Sequence, residues 1–239
     1  MKKDVITLRE PFEEGYEMTE SYISLRTNIM FCGADKKVIG LTSCSPNEGK
    51  STVALHLARS FSEAGKKTLL IDADMRKSVL FSVYADGSHT SGLSHCLSGQ
   101  MSFDEAVVAT QYADLDILFA GVYPPNPVRL LESEDFCALI ARVREEYDYV
   151  IVDLPPIGSV IDAAVAAKAC DGVVMVVASE VNSARDAREC KRQLEKSGTP
   201  ILGAILNMVS LHASKKYKRY YSYKYHGKYY EYHTQGRKE

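Results

Sequence analysis

The sequence contains no run approaching the ~18 consecutive apolar residues that a membrane-spanning helix requires, so its hydropathy predicts no transmembrane segment. Its first residues, MKKDVITLREPFEEGYEM, place acids where a secretory signal carries its apolar stretch. The six cysteines, Cys32, Cys44, Cys96, Cys137, Cys170 and Cys190, include no CxxC pair. They are expected to be reduced, with most buried as small hydrophobes. These absences together predict a cytosolic chain.

The 239 residues, 25% charged and 46% apolar, have the composition of an ordinary globular protein with one main domain. A net charge of -2 conceals an asymmetry. Residues 215–239 hold eight Lys/Arg against Glu231 and Glu239, which makes that segment +6 and the remainder -8. The basic end therefore reads as a separate functional unit.

Short β-branched runs recur at 38–42, 68–71, 116–120, 149–152, 173–178 and 201–206. Most are separated by stretches of helical period, such as STVALHLARSFSEAG, where Val53, Ala54, Leu57, Ala58 and Phe61 share a face and Gly65 stops the helix. Strands apolar on both faces that alternate with amphipathic helices predict an α/β fold, a mostly parallel sheet covered by helices on both sides. The expected divisions are an N-terminal segment at 1–37, a nucleotide-binding domain at 38–212 and a tail at 213–239. Within the first, residues 18–31 predict a helix with Thr19 as a candidate N-cap.

The run VIGLT leads into SCSPNEGKST, with a helix expected from Ser51. A lysine between Gly49 and a hydroxyl residue, where a strand turns into a helix, is what phosphate binding requires. Ser45, Pro46, Asn47, Glu48, Gly49, Lys50, Ser51 and Thr52 form this loop. Lys50 is expected to reach the β/γ oxygens of ATP, and Ser51 to offer its hydroxyl to Mg²⁺. Cys44 stands where the usual pattern has its first glycine.

LLIDADMR ends a strand with Asp72 and Asp74, and YVIVDLPP ends another with Asp153. Carboxylates at C-terminal strand ends occupy the place where α/β folds keep their sites. Asn207, after the last strand run, is a candidate contact for a nucleobase edge.

In SPNEGKST, LLIDADMRK, SGLSHCLSG, PPNPVRLL, YDYVIVDLPP and the tyrosine-rich end, the chain resembles the bacterial tyrosine kinases. The likeness is to the free-standing cytoplasmic kinases of Gram-positive capsule and exopolysaccharide systems. The resemblance implies a P-loop NTPase-type fold with ATP and Mg²⁺ as cofactors. It assigns Lys50, Asp72 and Asp74 to catalysis, Asp72 as base or orienting group for the attacking phenol, and Arg76 to the nucleotide side. Ser51, Asp74 and Asp153 become the metal environment. It also implies three partners: a membrane-anchored activator of the polysaccharide co-polymerase type that recruits the kinase to the inner face of the plasma membrane, further copies of the chain in a ring or other homo-oligomer, and a tyrosine phosphatase. In the family's ExxRxxR helix pattern, Glu20 and Arg26 match and Ile23 replaces the first arginine. Ser78 stands where the family usually has proline.

The segment KKYKRYYSYKYHGKYYEYH holds Tyr217, Tyr220, Tyr221, Tyr223, Tyr225, Tyr229, Tyr230 and Tyr232. A nucleic-acid arm and a solubilising tail are the weaker readings, and no nucleic-acid partner is expected. As a substrate strand, the 25 residues 215–239 reach up to ~80 Å at about 3.3 Å each. Each phosphate adds about -1.5 to -2 charges, so some four phosphates cancel the +6. The rival functions are a ParA/MinD-like regulatory ATPase, whose extra loop lysine SCSPNE lacks, and a non-enzymatic nucleotide-sensing adaptor.

Overall fold

The computed structural model describes residues 4–9, 15–85 and 91–209. Its elements run β1 (Val5–Ile6), α1 (Tyr16–Phe31), β2 (Val38–Ser43), α2 (Lys50–Glu63), β3 (Thr68–Asp72), α3 (Leu80–Tyr84) and α4 (Leu93–Leu97). There follow α5 (Phe103–Ala106), β4 (Val108–Thr110), β5 (Leu115–Leu118), α6 (Pro127–Leu131), α7 (Glu134–Glu146) and β6 (Tyr149–Asp153). The last are α8 (Asp162–Ala167), β7 (Gly172–Ala178), α9 (Ala184–Glu195) and β8 (Ile201–Asn207).

One eight-stranded sheet runs in the order β1-β4-β5-β3-β6-β2-β7-β8. Its neighbours are parallel except β4 and β5. Residues 111–114 between those two are too few for a crossover helix, and Asp114 turns the chain in the left-handed region at φ 61°. Each crossover helix returns the chain across one face, so both faces are covered. Val150 and Val152 of β6 point to one core with Leu69, Ile71, Phe136 and Ile140. Ile151 points to the other, with Ile39, Leu41, Leu70 and the expected α2 face of Val53, Ala54, Leu57, Ala58 and Phe61.

The structure changes three local expectations. Helix α1 begins at Tyr16 after Gly15, without a side-chain cap, so Thr19 lies inside its first turns rather than capping it. Helix α2 begins at Lys50, one residue early, with Gly49 as its left-handed N-cap at φ 77°. Of the cysteines, all free, Cys44, Cys170 and Cys190 are buried, Cys96 is half-buried, and Cys32 and Cys137 are exposed. Burial thus holds for half of them, because Cys32 and Cys137 face outward from the end of α1 and from α7. Strands β1 and β4, of two and three residues, are too short to leave a period in the sequence. Among the described residues no helix is long and apolar enough to cross a membrane.

Candidate active site

Strand β2 lies between β6 and β7, so the loop leaving its C-terminal end emerges between the C-terminal ends of those two strands. Register then sets the carboxylates: Asp72 at the end of β3 stands directly opposite Asp153 at the end of β6. Asp72, Asp74 and Asp153 are all buried. Asp153 forms an ion pair with the Lys50 ammonium. That ammonium also lies 3.3 Å from the Ser51 hydroxyl. The sequence-predicted lysine, hydroxyl and carboxylates are thus brought together by strand register and by the first turn of α2.

The loop's shape depends on two left-handed residues, Asn47 at φ 66° and Gly49 at φ 77°. Glycine adopts this region freely, and asparagine tolerates it better than most side chains. Pro46 and Asn47 are exposed, Ser45, Gly49 and Thr52 are half-buried, and Glu48 is buried. The Glu48 carboxylate accepts hydrogen bonds from the Ser45 N–H at 3.0 Å, the Ala178 N–H at 3.2 Å and the Asn182 side-chain amide. A buried carboxylate needs such partners, and here they tie the loop to the ends of β7 and α9. Asn207 contributes a further tie by donating its amide to the Glu48 carbonyl at 2.8 Å. The Tyr84 hydroxyl donates to Thr52 Oγ1 at 2.8 Å and braces the start of α2.

Around Asp72, one carboxylate oxygen accepts the Asp74 N–H at 3.1 Å and the other accepts the Ser78 hydroxyl. The Asp74 carboxylate accepts the N–H groups of Arg76 at 3.3 Å and Lys77 at 3.0 Å, which closes the turn after β3. Arg76 reaches across to Asp162 at the start of α8 with two bonds of 2.7 and 3.0 Å. Burial beside Asp153 pushes the Asp72 carboxyl up to about 8. Burial raises Asp153 as well, opposed by Lys50.

Among the described residues, no cluster of three or more His, Cys, Asp and Glu side chains is set to hold a metal unaided. Mg²⁺ does not need one, because it takes one or two carboxylates and completes its shell with phosphates and water. The Ser51 hydroxyl and the Asp153 carboxylate, both at Lys50, fit that demand, with Asp74 within electrostatic reach of Asp153.

The remaining expected residues lie elsewhere. Glu20 is half-buried on α1. Arg26 donates to the Ser60 carbonyl and, at 3.3 Å, to its hydroxyl, stapling α1 to α2. The eight tail tyrosines lie outside the described residues. Ser78, Tyr84, Asp162 and Asn182 were not marked as site residues by any motif. Only the missing proline at Ser78 gave a signal.

The parallel sheet, the strand-to-helix phosphate loop and the paired carboxylates define a P-loop-type nucleotide-binding domain. A family model described as an AAA domain matches residues 36–196. Over 196 residues the chain is 40% identical to the tyrosine-protein kinase CpsD of Streptococcus pneumoniae serotype 4, which covers 82% of this chain and 86% of that kinase. Over 229 residues it is 38% identical to the tyrosine-protein kinase YwqD of Bacillus subtilis, covering 95% and 92%. The crystal structure of the chimerical protein CapA2B2 superposes with a TM-score of 0.78 at 32% identity, over 86% of this chain and 94% of that one. The septum site-determining protein MinD of Pyrococcus horikoshii, complexed with Mg-ADP, superposes at 0.60 and 26%, over 71% and 69%. The chain belongs to the bacterial tyrosine-protein kinases of the CpsD and YwqD kind.

Proposed function

We propose that this kinase transfers the γ-phosphate of ATP to the tyrosines between Tyr217 and Tyr232 on the tail of a neighbouring copy, and thereby regulates capsular or exopolysaccharide synthesis and export. The observation that carries the reading is the pairing of Asp72 with Asp153 at adjacent strand ends, with Lys50 on one and a hydroxyl on the other.

Lys50 leaves Asp153 for the β/γ-phosphate oxygens and neutralises charge there. Mg²⁺, held beside Ser51, Asp74 and Asp153, supplies further charge neutralisation on the phosphates when bound. The phenolic oxygen forms the new bond to the γ-phosphorus as the bond to the bridging oxygen breaks. ADP leaves with that electron pair, and Asp72 takes the phenolic proton. The acceptor is the ionised carboxylate: a phenol titrates near ~10, burial brings Asp72 closer to it than an ordinary carboxylate, and the positive charge of Lys50 favours the ionised form that can take the proton.

Asn207 is assigned to the nucleobase side through its remaining amide oxygen, and Arg76 to the phosphate side. Residues 1–37 are assigned to an N-terminal segment, 38–212 to the kinase body and 213–239 to the tail it presents to neighbours. Glu20 and Arg26 are assigned to the contact between copies. A membrane-anchored activator places the kinase at the inner face of the plasma membrane, and a tyrosine phosphatase resets it.

The test is incubation of the purified chain with ATP and Mg²⁺, followed by intact mass and phosphosite mapping. Phosphate on tail tyrosines in the wild type and none in Lys50→Met supports the reading. Nucleotide hydrolysis without any phosphotyrosine contradicts it.

A further inference from the structure

Ser78 brings a hydroxyl to a position where the family usually has proline, and transfer to tyrosine makes no use of it. That hydroxyl donates to one oxygen of the Asp72 carboxylate, while the other oxygen accepts the Asp74 N–H at 3.1 Å. Strand register sets Asp72 directly opposite Asp153, which holds the Lys50 ammonium. An alcohol is thus already seated on the carboxylate assigned to take an acceptor's proton. It lies one strand away from the carboxylate that holds the phosphate lysine.

The seat is fixed from both sides. Before Ser78, the Asp74 carboxylate accepts the N–H groups of Arg76 and Lys77 and closes the turn. Beyond its side chain, the Ser78 carbonyl accepts the Tyr123 hydroxyl at 3.1 Å. Pro124 and Pro125 restrict the chain that carries Tyr123. Leu93 and Ser94 of α4 hold the same chain by donating their N–H groups to the carbonyls of Phe119 at 2.7 Å and Ala120 at 3.0 Å. That approach is so close that a Cβ at Gly92 would lie 2.1 Å from the Phe119 carbonyl oxygen. Ser78 itself is half-buried, between the buried Asp72 and the exposed Val79.

We propose that Ser78 is a second phosphoacceptor, modified by the nucleotide site of its own chain, and that this modification shuts off transfer to tyrosine. The inference rests on the kinase reading above. The Ser78 oxygen forms the new bond to the γ-phosphorus as the bond to the bridging oxygen breaks. ADP leaves with that electron pair, and Asp72 takes the hydroxyl proton. Serine is a weaker acid than a phenol, but the transition state of phosphoryl transfer is loose, so positioning counts for more than the acidity of the attacking group. A hydroxyl already held on the base needs no second molecule brought up to it. The product explains the shut-off. A phosphate adds about -1.5 to -2 charges, which Asp72 and Asp74 repel and which the exposed Arg76 and Lys77, in the two preceding positions, attract. Held there, it opposes the approach of the γ-phosphate of the next ATP by like charge.

The experiment uses the full chain with its eight tail tyrosines changed to Phe, incubated with ATP and Mg²⁺, with intact mass and phosphosite mapping as readouts. One phosphoryl group per chain is expected, on Ser78, and none in the same chain carrying Lys50→Met. The rate per chain is expected to stay constant on dilution, as for a step within one molecule. Activity toward tyrosine is then followed on a synthetic peptide of residues 215–233. After preincubation with ATP to full modification, peptide labelling should fall by on the order of a hundredfold, the scale of a lost charge contact in the transition state. In Ser78→Ala, preincubation should leave the peptide rate where it started. Phosphoserine at Ser78 that forms more slowly per chain on dilution overturns transfer within one chain. Modified chains that label peptide as fast as fresh ones overturn the shut-off. If the wild-type chain labels no tyrosine at all, the kinase reading itself fails. If it labels its tail while Ser78 stays unmodified, the kinase reading stands and only the Ser78 inference fails.

Discussion

The floor of the active site and its rim are built by different means. The floor consists of Lys50, Ser51, Asp72 and Asp153, placed by parallel strand register and the first turn of α2. All four are buried. The rim consists of Ser78, Val79, Val122 and Tyr123, placed by loops that a glycine and two prolines hold in position. Most of it is exposed. The difference separates a buried floor fixed by strand register from an open rim fixed by loops.

The sharpest way to break the floor is Lys50→Met. Transfer should fall by on the order of a hundredfold or more, as when a transition-state charge contact is removed. The melting temperature of the nucleotide-free chain should fall by several degrees, because losing the ammonium leaves the buried Asp153 carboxylate unpaired. Phosphosite mapping and thermal melts check the two halves.

Next in size, Asp72→Ala should cost on the order of 10²-fold in transfer, the range of a lost general base. Asp74→Ala should lose transfer through weaker Mg·ATP binding. Nucleotide titration separates them, with Asp72→Ala binding the tighter of the two. Equal nucleotide loss in both would erase the division of labour.

The rim can be broken alone from behind. Gly92→Ala pushes a methyl group against the Phe119 carbonyl oxygen and so displaces the loop that carries Tyr123. We expect a several-fold rise in the KM for the tail peptide, of the order of ~1 kcal/mol, with the KM for ATP within twofold. A matched rise in both would show that floor and rim are one unit.

The smallest effect expected is at Tyr84→Phe, which removes a neutral hydrogen bond to Thr52 worth about 0.5–1.5 kcal/mol. The ATP KM should rise a few-fold while the peptide KM stays put.

The same division governs what could be read from the sequence. Floor residues were legible because each sits at the end of a long apolar run or at a helix start, where motif and periodicity coincide. Lys50, Asp72 and Asp153 needed no knowledge of the loops. The rim was not legible. Tyr123 meets Ser78 across 45 positions of sequence through a single side-chain to backbone bond. Asp162 meets Arg76 across 86. Such partners carry no local period. Asn207 shows the intermediate case: its place at the end of the last strand run was legible, but its position beside the loop and its bond to Glu48 followed only from β8 pairing with β7. The N-terminal residues gave a helix but not strand β1, whose two residues join the sheet edge beside β4.

The central claim is transfer from the floor of one copy to the tail of another. It is tested by mixing a Lys50→Met chain that keeps its tyrosines with an active chain whose tail tyrosines are all Phe. Phosphate should appear on the Lys50→Met chain. Its rate should fall as salt rises, because attraction between the +6 tail and the -8 remainder is screened within ~10 Å at 0.1 M ionic strength. An unlabelled Lys50→Met chain, alongside normal labelling of the wild type, would contradict transfer between copies.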